Sequence, residues 1–543
     1  MFKTFKLIIC ITCFIIVILS LVFFISRILY VFETEVEWYE KASLVILLIA
    51  ETFIIVHSVG YLIEVLRVFF KASFTDDQNK KLIVSKLESP PFVAILIPAY
   101  HEPLNIIKNT LICSKVLSYQ NKHLYLLDDT RYDLPESKTE EMYKYKQDLE
   151  NLCKKYEVNI FRHTWRGAKA GILNDFIDFI KKREKKESCC IYNQKQTAID
   201  PKYLAVLDVD QNPFIDFLEP IISKLEEDSK IAFIQSPQYY TNYQKSSVAS
   251  AANIQQAIFY EYICEGKGVL GAVLCCGTNI IYRTTALDSI GGFDETSVTE
   301  DVSTSFEFHI RKWKSFYSNK VSVFGMGPDN LFSYFTQQYR WAFGTLSVLK
   351  KLIVTFFKNP KALKWFLWWE YLLSSSFYLI GIVFIVISIF PATYLLFGFP
   401  NYVASVSFTS IIFIPYLAIT LTAFMLSITR RGYALKNVIK GQWLLLATFP
   451  IYIKATINII LNRKEKFKIT SKKGSFTIPL WKLWPQLFFI TLFFFGTIWG
   501  LCRIYFVRQP ITTLCFNTFW CFYNFIIIFS IIFFNYIPEK NGK

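Results

Sequence analysis

Long apolar runs near the two ends of the chain, and none in the middle, constrain this protein most. Residues 7–32 form one apolar run, about 39 Å long as a helix and enough to cross a ~30 Å hydrocarbon core. A second run covers 44–70, and others return at 367–396, 404–428, 443–462, 484–507 and 513–536. Nothing between 71 and 366 reaches that length. Such a chain must place two groups of helices in lipid and fold one segment in water. Composition agrees. Hydrophobic residues make up 53% of the 543 residues and aromatics 18%, yet 19% are charged. A disordered chain, a collagen-like chain and a small disulfide scaffold are excluded.

Charge sets the expected topology. Lys3 and Lys6 precede the first run, while Phe32–Lys41 carries four Glu and one Lys. Acidic outside and basic inside puts the N-terminus and the residues after 71 in the cytoplasm. The first run is too long for a signal peptide and lacks a small-residue cleavage site. Glu51, His57 and Glu64 lie within the second run and are expected to face other helices or a channel, with Glu64 otherwise at the interface. The run 443–462 is flanked by basic loops on both sides, Thr429–Gln442 and Arg463–Lys473, and contains Pro450 and Lys454. An interfacial helix keeps both loops inside. That leaves six spans, with Arg503 and Arg508 running against the rule in the last outer loop. The net charge of +16 reads as this inside bias plus anionic lipid and substrate, not nucleic acid. The twelve cysteines are scattered, and the adjacent pairs Cys189–Cys190 and Cys275–Cys276 do not suit a zinc site; reduced thiols are expected. Cys10 and Cys13 form a Cys-x-x-Cys inside a span, where they pack as small hydrophobes. The segmentation is 1–71, two spans; 72–345, a catalytic domain; 346–440, an interface helix and two spans; 441–480, an interface helix and a loop; and 481–543, two spans.

In the water-facing segment, short apolar strands alternate with helical stretches: Phe92–Ile97, Leu124–Leu127, Val158–His163, Tyr203–Leu207 and Ile231–Gln235. This is an α/β pattern with a mostly parallel sheet, whose ligands sit at the C-terminal strand ends. Several strands end in polar clusters: Pro98-Ala99-Tyr100-His101-Glu102, Asp128-Asp129, Asp208-Val209-Asp210 and Gln235-Ser236-Pro237. On an extended chain Asp208 and Asp210 point the same way and need a cation between them. Asp128-Asp129 can accept hydrogen bonds from a base or ribose, help a metal, or simply cap a helix or turn. Arg166–Gly171 supplies cations and close backbone approach for a diphosphate, without P-loop spacing. Thr299-Glu300-Asp301 reads either as a helix cap with acids in the first turn or as a general base, Asp301. Gln337-Gln338-Tyr339-Arg340-Trp341 offers a sugar-stacking Trp and a phosphate-binding Arg, or a membrane anchor.

Taken in order, with Lys169-Ala170-Gly171, Cys276-Gly277-Thr278 and Gln337-x-x-Arg340-Trp341, these motifs resemble the processive membrane glycosyltransferases of family 2. The resemblance is to cellulose synthase catalytic subunits above all, with chitin and hyaluronan synthases as relatives. Phe467-Lys468-Ile469-Thr470-Ser471-Lys472 resembles that branch's gating loop. The resemblance implies a cytoplasmic GT-A (nucleotide-diphospho-sugar transferase) domain in a multi-pass membrane protein of the plasma or inner membrane. It implies a UDP-sugar donor, most simply UDP-glucose, a growing β-linked polysaccharide acceptor, Mg²⁺ or Mn²⁺, and accessory synthase subunits as partners. It assigns Tyr100 to the uracil, Glu102 to the donor site and Asp128 or Asp129 to the nucleoside. Lys169 goes to the diphosphate, Asp208 and Asp210 to the metal, and Asp301 with Glu300 to catalysis. Cys276, Gln337 and Trp341 border the acceptor, Arg340 the diphosphate, and Phe467 and Thr470 the closing loop. Trp365, Trp368, Trp369 and Tyr371 are candidates for a sugar channel or, alternatively, an aromatic belt. The chain ends at Lys543 soon after the last run, so the cyclic-dinucleotide-binding domain of many bacterial relatives is not expected. Ser236 and Gln238 stand where the family often has Thr and His, which leaves the sugar open. The rivals are a non-processive transferase acting on a membrane lipid, a chitin- or hyaluronan-type synthase using UDP-N-acetylglucosamine, and a transporter or receptor with a ligand domain.

Overall fold

The computed structural model describes residues 2–33, 35–79, 89–166, 168–181, 190–192, 200–297, 299–399, 409–463, 477–506 and 511–536. Eleven strands are described: β1 Val93–Ala99, β2 Lys122–Asp128, β3 Asn159–Arg162, β4 Cys190–Tyr192, β5 Tyr203–Val206, β6 Asn212–Pro213, β7 Ile231–Gln235, β8 Tyr239–Tyr240, β9 Ile280–Arg283, β10 Lys314–Tyr317 and β11 Val323–Gly325. Eight form one sheet in the order β10-β7-β9-β5-β1-β2-β3-β4. β3, β2, β1 and β5 run parallel in a continuous row, as do β7 and β10. β9 runs antiparallel between β5 and β7, and β4 antiparallel at the edge. β6, β11 and β8 make a second, small sheet.

The apolar strands lack polar alternation because both faces are covered. Along β1, Val93, Ile95 and Ile97 belong to one core, with Ile107 and Leu111 of helix Leu104–Lys115 and Ile221 and Ile222 of helix Leu218–Glu227. Ala94 and Leu96 face the other core, with Ile172, Leu173 and Phe176 of helix Ala168–Ile180. Sequence reading missed β4, β6, β8, β9, β10 and β11, all of four residues or fewer.

Among the described residues, six single helices are long and apolar enough to cross a membrane: Ile11–Glu33, Trp38–Phe70, Trp365–Phe397, Ile411–Thr429, Leu480–Phe506 and Ile511–Asn535. The run expected as an interface helix over 443–462 is two helices, Leu435–Ala447 and Phe449–Ile460, bent by 41°, which together are also long and apolar enough for a broken span or a re-entrant loop. Pro450 opens the second helix, because proline suits a first turn and not an interior. The expected domain edge at 345/346 falls inside one continuous helix, Leu331–Lys358, and the second membrane helix continues past 71 to Asn79.

Intramembrane polar groups face other helices, as expected. Glu51 pairs with Arg27 at 2.7 Å. His57 Nε2 lies 3.3 Å from the Leu373 carbonyl and 3.2 Å from Ser376 Oγ. Arg503 has a local reason to defy the charge rule. Its guanidinium donates to the carbonyls of Tyr394 and Leu395 at 3.0 and 2.9 Å, capping the C-terminal end of the helix Ile380–Phe397. Nine cysteines, among them Cys13, Cys275, Cys276 and Cys521, are free thiols.

Candidate active site

The sheet's C-terminal edge gathers the acids and one lysine. Glu300 and Asp301 open helix Glu300–Ile310, with Asp301 Oδ1 accepting from the Val302 N–H at 2.8 Å. Burial pushes the carboxyls of both above their ordinary range, and for Glu300 the neighbouring Asp301 adds to it. Lys169, on the first turn of helix Ala168–Ile180, donates to Asp208 Oδ1 and to the Gly277 carbonyl, both at 2.5 Å. Burial works against its charge, but Asp208 and Glu300 outweigh it and hold the ammonium above its usual range. Gly277 has a positive φ of 77°, and a Cβ there would sit 2.9 Å from Asp301 Oδ2. Glycine is what lets this loop approach the carboxylate.

Thr299 has a role other than the expected cap. It occupies the N-cap position, but its side chain makes no cap hydrogen bond. It packs instead on Gly344 of helix Leu331–Lys358, where a Cβ would come within 2.2 Å of Thr299 Cγ2. Asp208 and Asp210 also depart from expectation. β5 ends at Val206, and 208–211 form a turn closed by the Gln211 N–H to the Asp208 carbonyl at 2.9 Å. The extended-chain argument therefore does not apply, and the two side chains differ: Asp208 is 44% exposed and Asp210 is buried. Among the described residues, no group of three or more His, Cys, Asp or Glu is placed to hold a metal by itself.

Further along the edge, the β2–β3 register extends into the loops. Leu127 lies opposite Phe161, so Asp128 faces Arg162 and Asp129 faces His163. Asp128 is buried and committed: Oδ2 accepts from Arg162 Nε at 2.7 Å and from the Tyr132 hydroxyl at 3.0 Å. Asp129 Oδ1 lies 3.0 Å from His163 Nε2. Asp129 interacts electrostatically with Tyr100 and Arg131. Glu102 bends the preceding loop, its carboxylate accepting from the Tyr100 N–H at 2.5 Å. Arg131 lies over the Trp165 ring at 4.3 Å.

The chain matches two family models over this sheet and beyond. Residues 94–291 match glycosyl transferase family 2, and residues 203–429 match glycosyl transferase family group 2. Together, family 2 glycosyltransferase models cover residues 94–429. The sheet, with the antiparallel β9 set among parallel strands, is the GT-A-like fold of such domains. The cellulose synthase catalytic subunit [UDP-forming] of Pseudomonas fluorescens (strain SBW25) is 24% identical over 81% of this chain and 56% of its own length. The cellulose synthase 1 catalytic subunit [UDP-forming] of Komagataeibacter xylinus gives the same three figures. The chain thus spans little more than half the length of these curated relatives. The mannosyltransferase PcManGT from Pyrobaculum calidifontis, solved in complex with GDP-Man and Mn2+, has a TM-score of 0.46 at 13% identity, over 77% of this chain and 100% of that one.

The remaining expected residues are spread over several elements. Gln337, Arg340 and Trp341 lie on helix Leu331–Lys358, partly exposed, with Arg340 acting electrostatically on Glu300 and Asp301. Cys276 lies in the loop beside Gly277. Phe467 and Thr470 lie outside the described residues. Tyr371 is not a channel residue: it is fully buried, its hydroxyl 2.7 Å from His309 Nδ1. Trp368 Nε1 donates to the Pro360 carbonyl at 2.9 Å, and Trp365 is exposed at the helix start. Sequence reading passed over Gln235 as a binding residue, and its part is to shape the loop. Fully buried, it accepts from the Cys276 N–H at 2.8 Å and donates to the Thr278 carbonyl at 2.8 Å. It also passed over His163 and Asp175, which no motif marks.

Proposed function

We propose that this glycosyltransferase moves a sugar from a nucleotide-diphosphate donor to a growing β-linked polysaccharide, with inversion, and passes the polymer through its membrane helices. The catalytic domain lies in the cytoplasm and the donor is UDP-glucose. One observation carries the reading: Asp301, Lys169, Asp208 and Arg340 share one edge of the sheet, in a chain most of which aligns with UDP-forming cellulose synthases. Asp301 takes the proton of the acceptor hydroxyl, which requires hydrogen-bond reach of about 2.6–3.2 Å. Its raised pKa suits a base that must hold a proton briefly. Lys169 and Arg340 neutralise the charge that develops on the departing diphosphate. Tyr100 and Asp129 hold the nucleoside, while Asp128 supports them through Arg162.

The acids fit a hard divalent ion, Mg²⁺ or Mn²⁺. Such an ion takes one or two carboxylates and completes its shell from phosphate oxygens and water. Asp208 and Asp210 meet that requirement without a third acid. When bound, the ion adds positive charge beside the diphosphate. Lys169, which holds Asp208 here, would then be free to turn to the diphosphate.

The test is label transfer by the purified full-length chain in lipid. UDP-glucose, UDP-N-acetylglucosamine and GDP-mannose are offered separately with Mg²⁺ or Mn²⁺, with Asp301→Asn as control. The expected result is high-mass product from UDP-glucose, cut by a β-1,4-glucanase and absent in the variant. Product from UDP-N-acetylglucosamine alone would replace the glucan with a chitin- or hyaluronan-type polymer. Label confined to short glycolipid would overturn the polymerase reading in favour of a lipid transferase.

A further inference from the structure

A line of alternating charges runs from the nucleoside end of the cleft into the helix that carries Lys169. Asp129 follows β2, and His163 follows β3. The imidazole lies between two carboxylates: Nε2 is 3.0 Å from Asp129 Oδ1, and Nδ1 is 2.7 Å from Asp175 Oδ2. Only 1% of the His163 side chain is exposed, against 9% for Asp129 and 3% for Asp175. Asp175 Oδ1 in turn accepts from Arg166 Nε and Nη2 at 3.0 and 2.8 Å. Arg166 Nη1 reaches Glu295 at 2.5 Å, in the loop that leads to Glu300 and Asp301. Asn174 also donates to Glu295, at 2.7 Å.

Both ring nitrogens face acceptors, so the geometry asks for both to carry protons. A neutral imidazole would turn one lone pair toward a carboxylate. We propose that His163 is a positioning residue for donor binding: as an imidazolium it clamps Asp129 to Asp175 and so fixes the nucleoside carboxylate relative to the helix bearing Lys169. This rests on the reading of Asp129 as the nucleoside ligand. His163 occupies Oδ1 and leaves Oδ2 to meet an imide N–H or a ribose hydroxyl. Burial opposes the imidazolium, but the hydrogen bonds it donates to Asp129 and Asp175 outweigh it and raise the His163 pKa above 6.5. The charges that face the assembly are Asp128 and Arg131 beside Asp129, and Arg166 behind Asp175. The clamp therefore holds at neutral pH and is lost as pH rises through the raised value. The expected consequence is weaker donor binding on the alkaline side, with little change in turnover at saturating donor.

The test measures UDP binding by the purified full-length chain over roughly pH 6.5–9, either side of the histidine's charge change, with no turnover required. UDP's own titration is common to all variants, so the pH slope is read as a difference from wild type. Wild type should lose several-fold in affinity across the range. His163→Gln, which donates through its amide but cannot titrate, should bind with a flat slope relative to wild type. Asp175→Asn keeps the shape and removes one charge, so its loss of affinity should begin at lower pH; it also serves where His163→Gln fails to fold. Asp129→Asn should bind weakly at every pH. If Asp129→Asn binds like wild type, the nucleoside reading of Asp129 fails and the clamp with it. If Asp129→Asn weakens binding but His163→Gln keeps the wild-type slope, the clamp alone is overturned. A companion rate measurement should show the His163→Gln effect in KM for the donor and not in kcat; an effect confined to kcat would also overturn it.

Discussion

Two groups of charges in this protein look alike in sequence and differ in what they can do. At the sheet edge, Asp208, Lys169, Glu300 and Asp301 crowd together beneath an opening to water, and Asp208 is almost half exposed. Where the sheet domain meets the membrane helices, Glu64, Arg67, Lys267 and Glu370 also crowd together, but are packed away. Arg67 Nη1 reaches Glu64 at 2.7 Å and Glu370 at 2.6 Å. Lys267 Nζ reaches the Glu370 carboxylate at 2.8 Å and its backbone carbonyl at 2.9 Å. Glu370 and Lys267 are essentially inaccessible. The junction set balances to zero charge, with one buried acceptor, Glu64 Oε2, left without a hydrogen bond, and so it fastens two parts of the fold. The edge set is partly open to water, as the proposed transfer requires.

Substitutions should separate the two groups. The largest effect belongs to Asp301→Asn. Transfer should fall by about 10²–10⁴-fold, as for loss of a general base, with UDP binding and thermal stability near wild type. In the wild-type enzyme the rate should decline as pH falls through the raised pKa of Asp301, because only the ionised carboxylate accepts a proton. Full activity in the variant would remove Asp301 from the chemistry.

Lys267→Met should act in the opposite manner. It strands Glu370 beside a single remaining cation, and breaking a buried pair costs about 3–5 kcal/mol. Detergent-solubilised protein should melt markedly lower. Adding Glu370→Gln should recover much of the loss, because Arg67 and Glu64 still balance. A single variant as stable as wild type would mean that the junction is not a fastening.

A smaller effect is expected for Gly277→Ala. The left-handed conformation costs an alanine about 1–2 kcal/mol, and the added methyl would press on Asp301 Oδ2. The rate of transfer should fall more than the stability does. Equal losses in both would make Gly277 a turn residue with no bearing on the acid.

The same contrast shows how far the sequence could be read. The strands β1, β2, β3, β5 and β7 were legible because two-sided burial writes a plain apolar run. The acids at their ends were legible because a polar cluster after such a run is conspicuous. The break at Thr448–Phe449 was signalled by Pro450, though its geometry was not. Asp208 and Asp210 stood out in the sequence, but their directions were misjudged, because a strand that stops at Val206 hands them to a turn. The junction charges were half visible: Glu64 stood out in an apolar run, whereas no local pattern marks Lys267 and Glu370 as its neighbours. His163 and Asp175 carried no signal, since their meaning is a contact between a loop and a helix that no local pattern announces.

Sequence alone thus determined that the chain divides between lipid and water, that the water-facing part is an α/β sheet domain, and that acids crowd one end of it. Those properties follow from local composition and period, which act through solvation of each segment by itself. Only the tertiary structure decided which acid is spent on an arginine, which charges are fastenings, and where a histidine is caught between two carboxylates. Those depend on strand register and on burial, and both are set by the packing of segments that the chain does not place side by side.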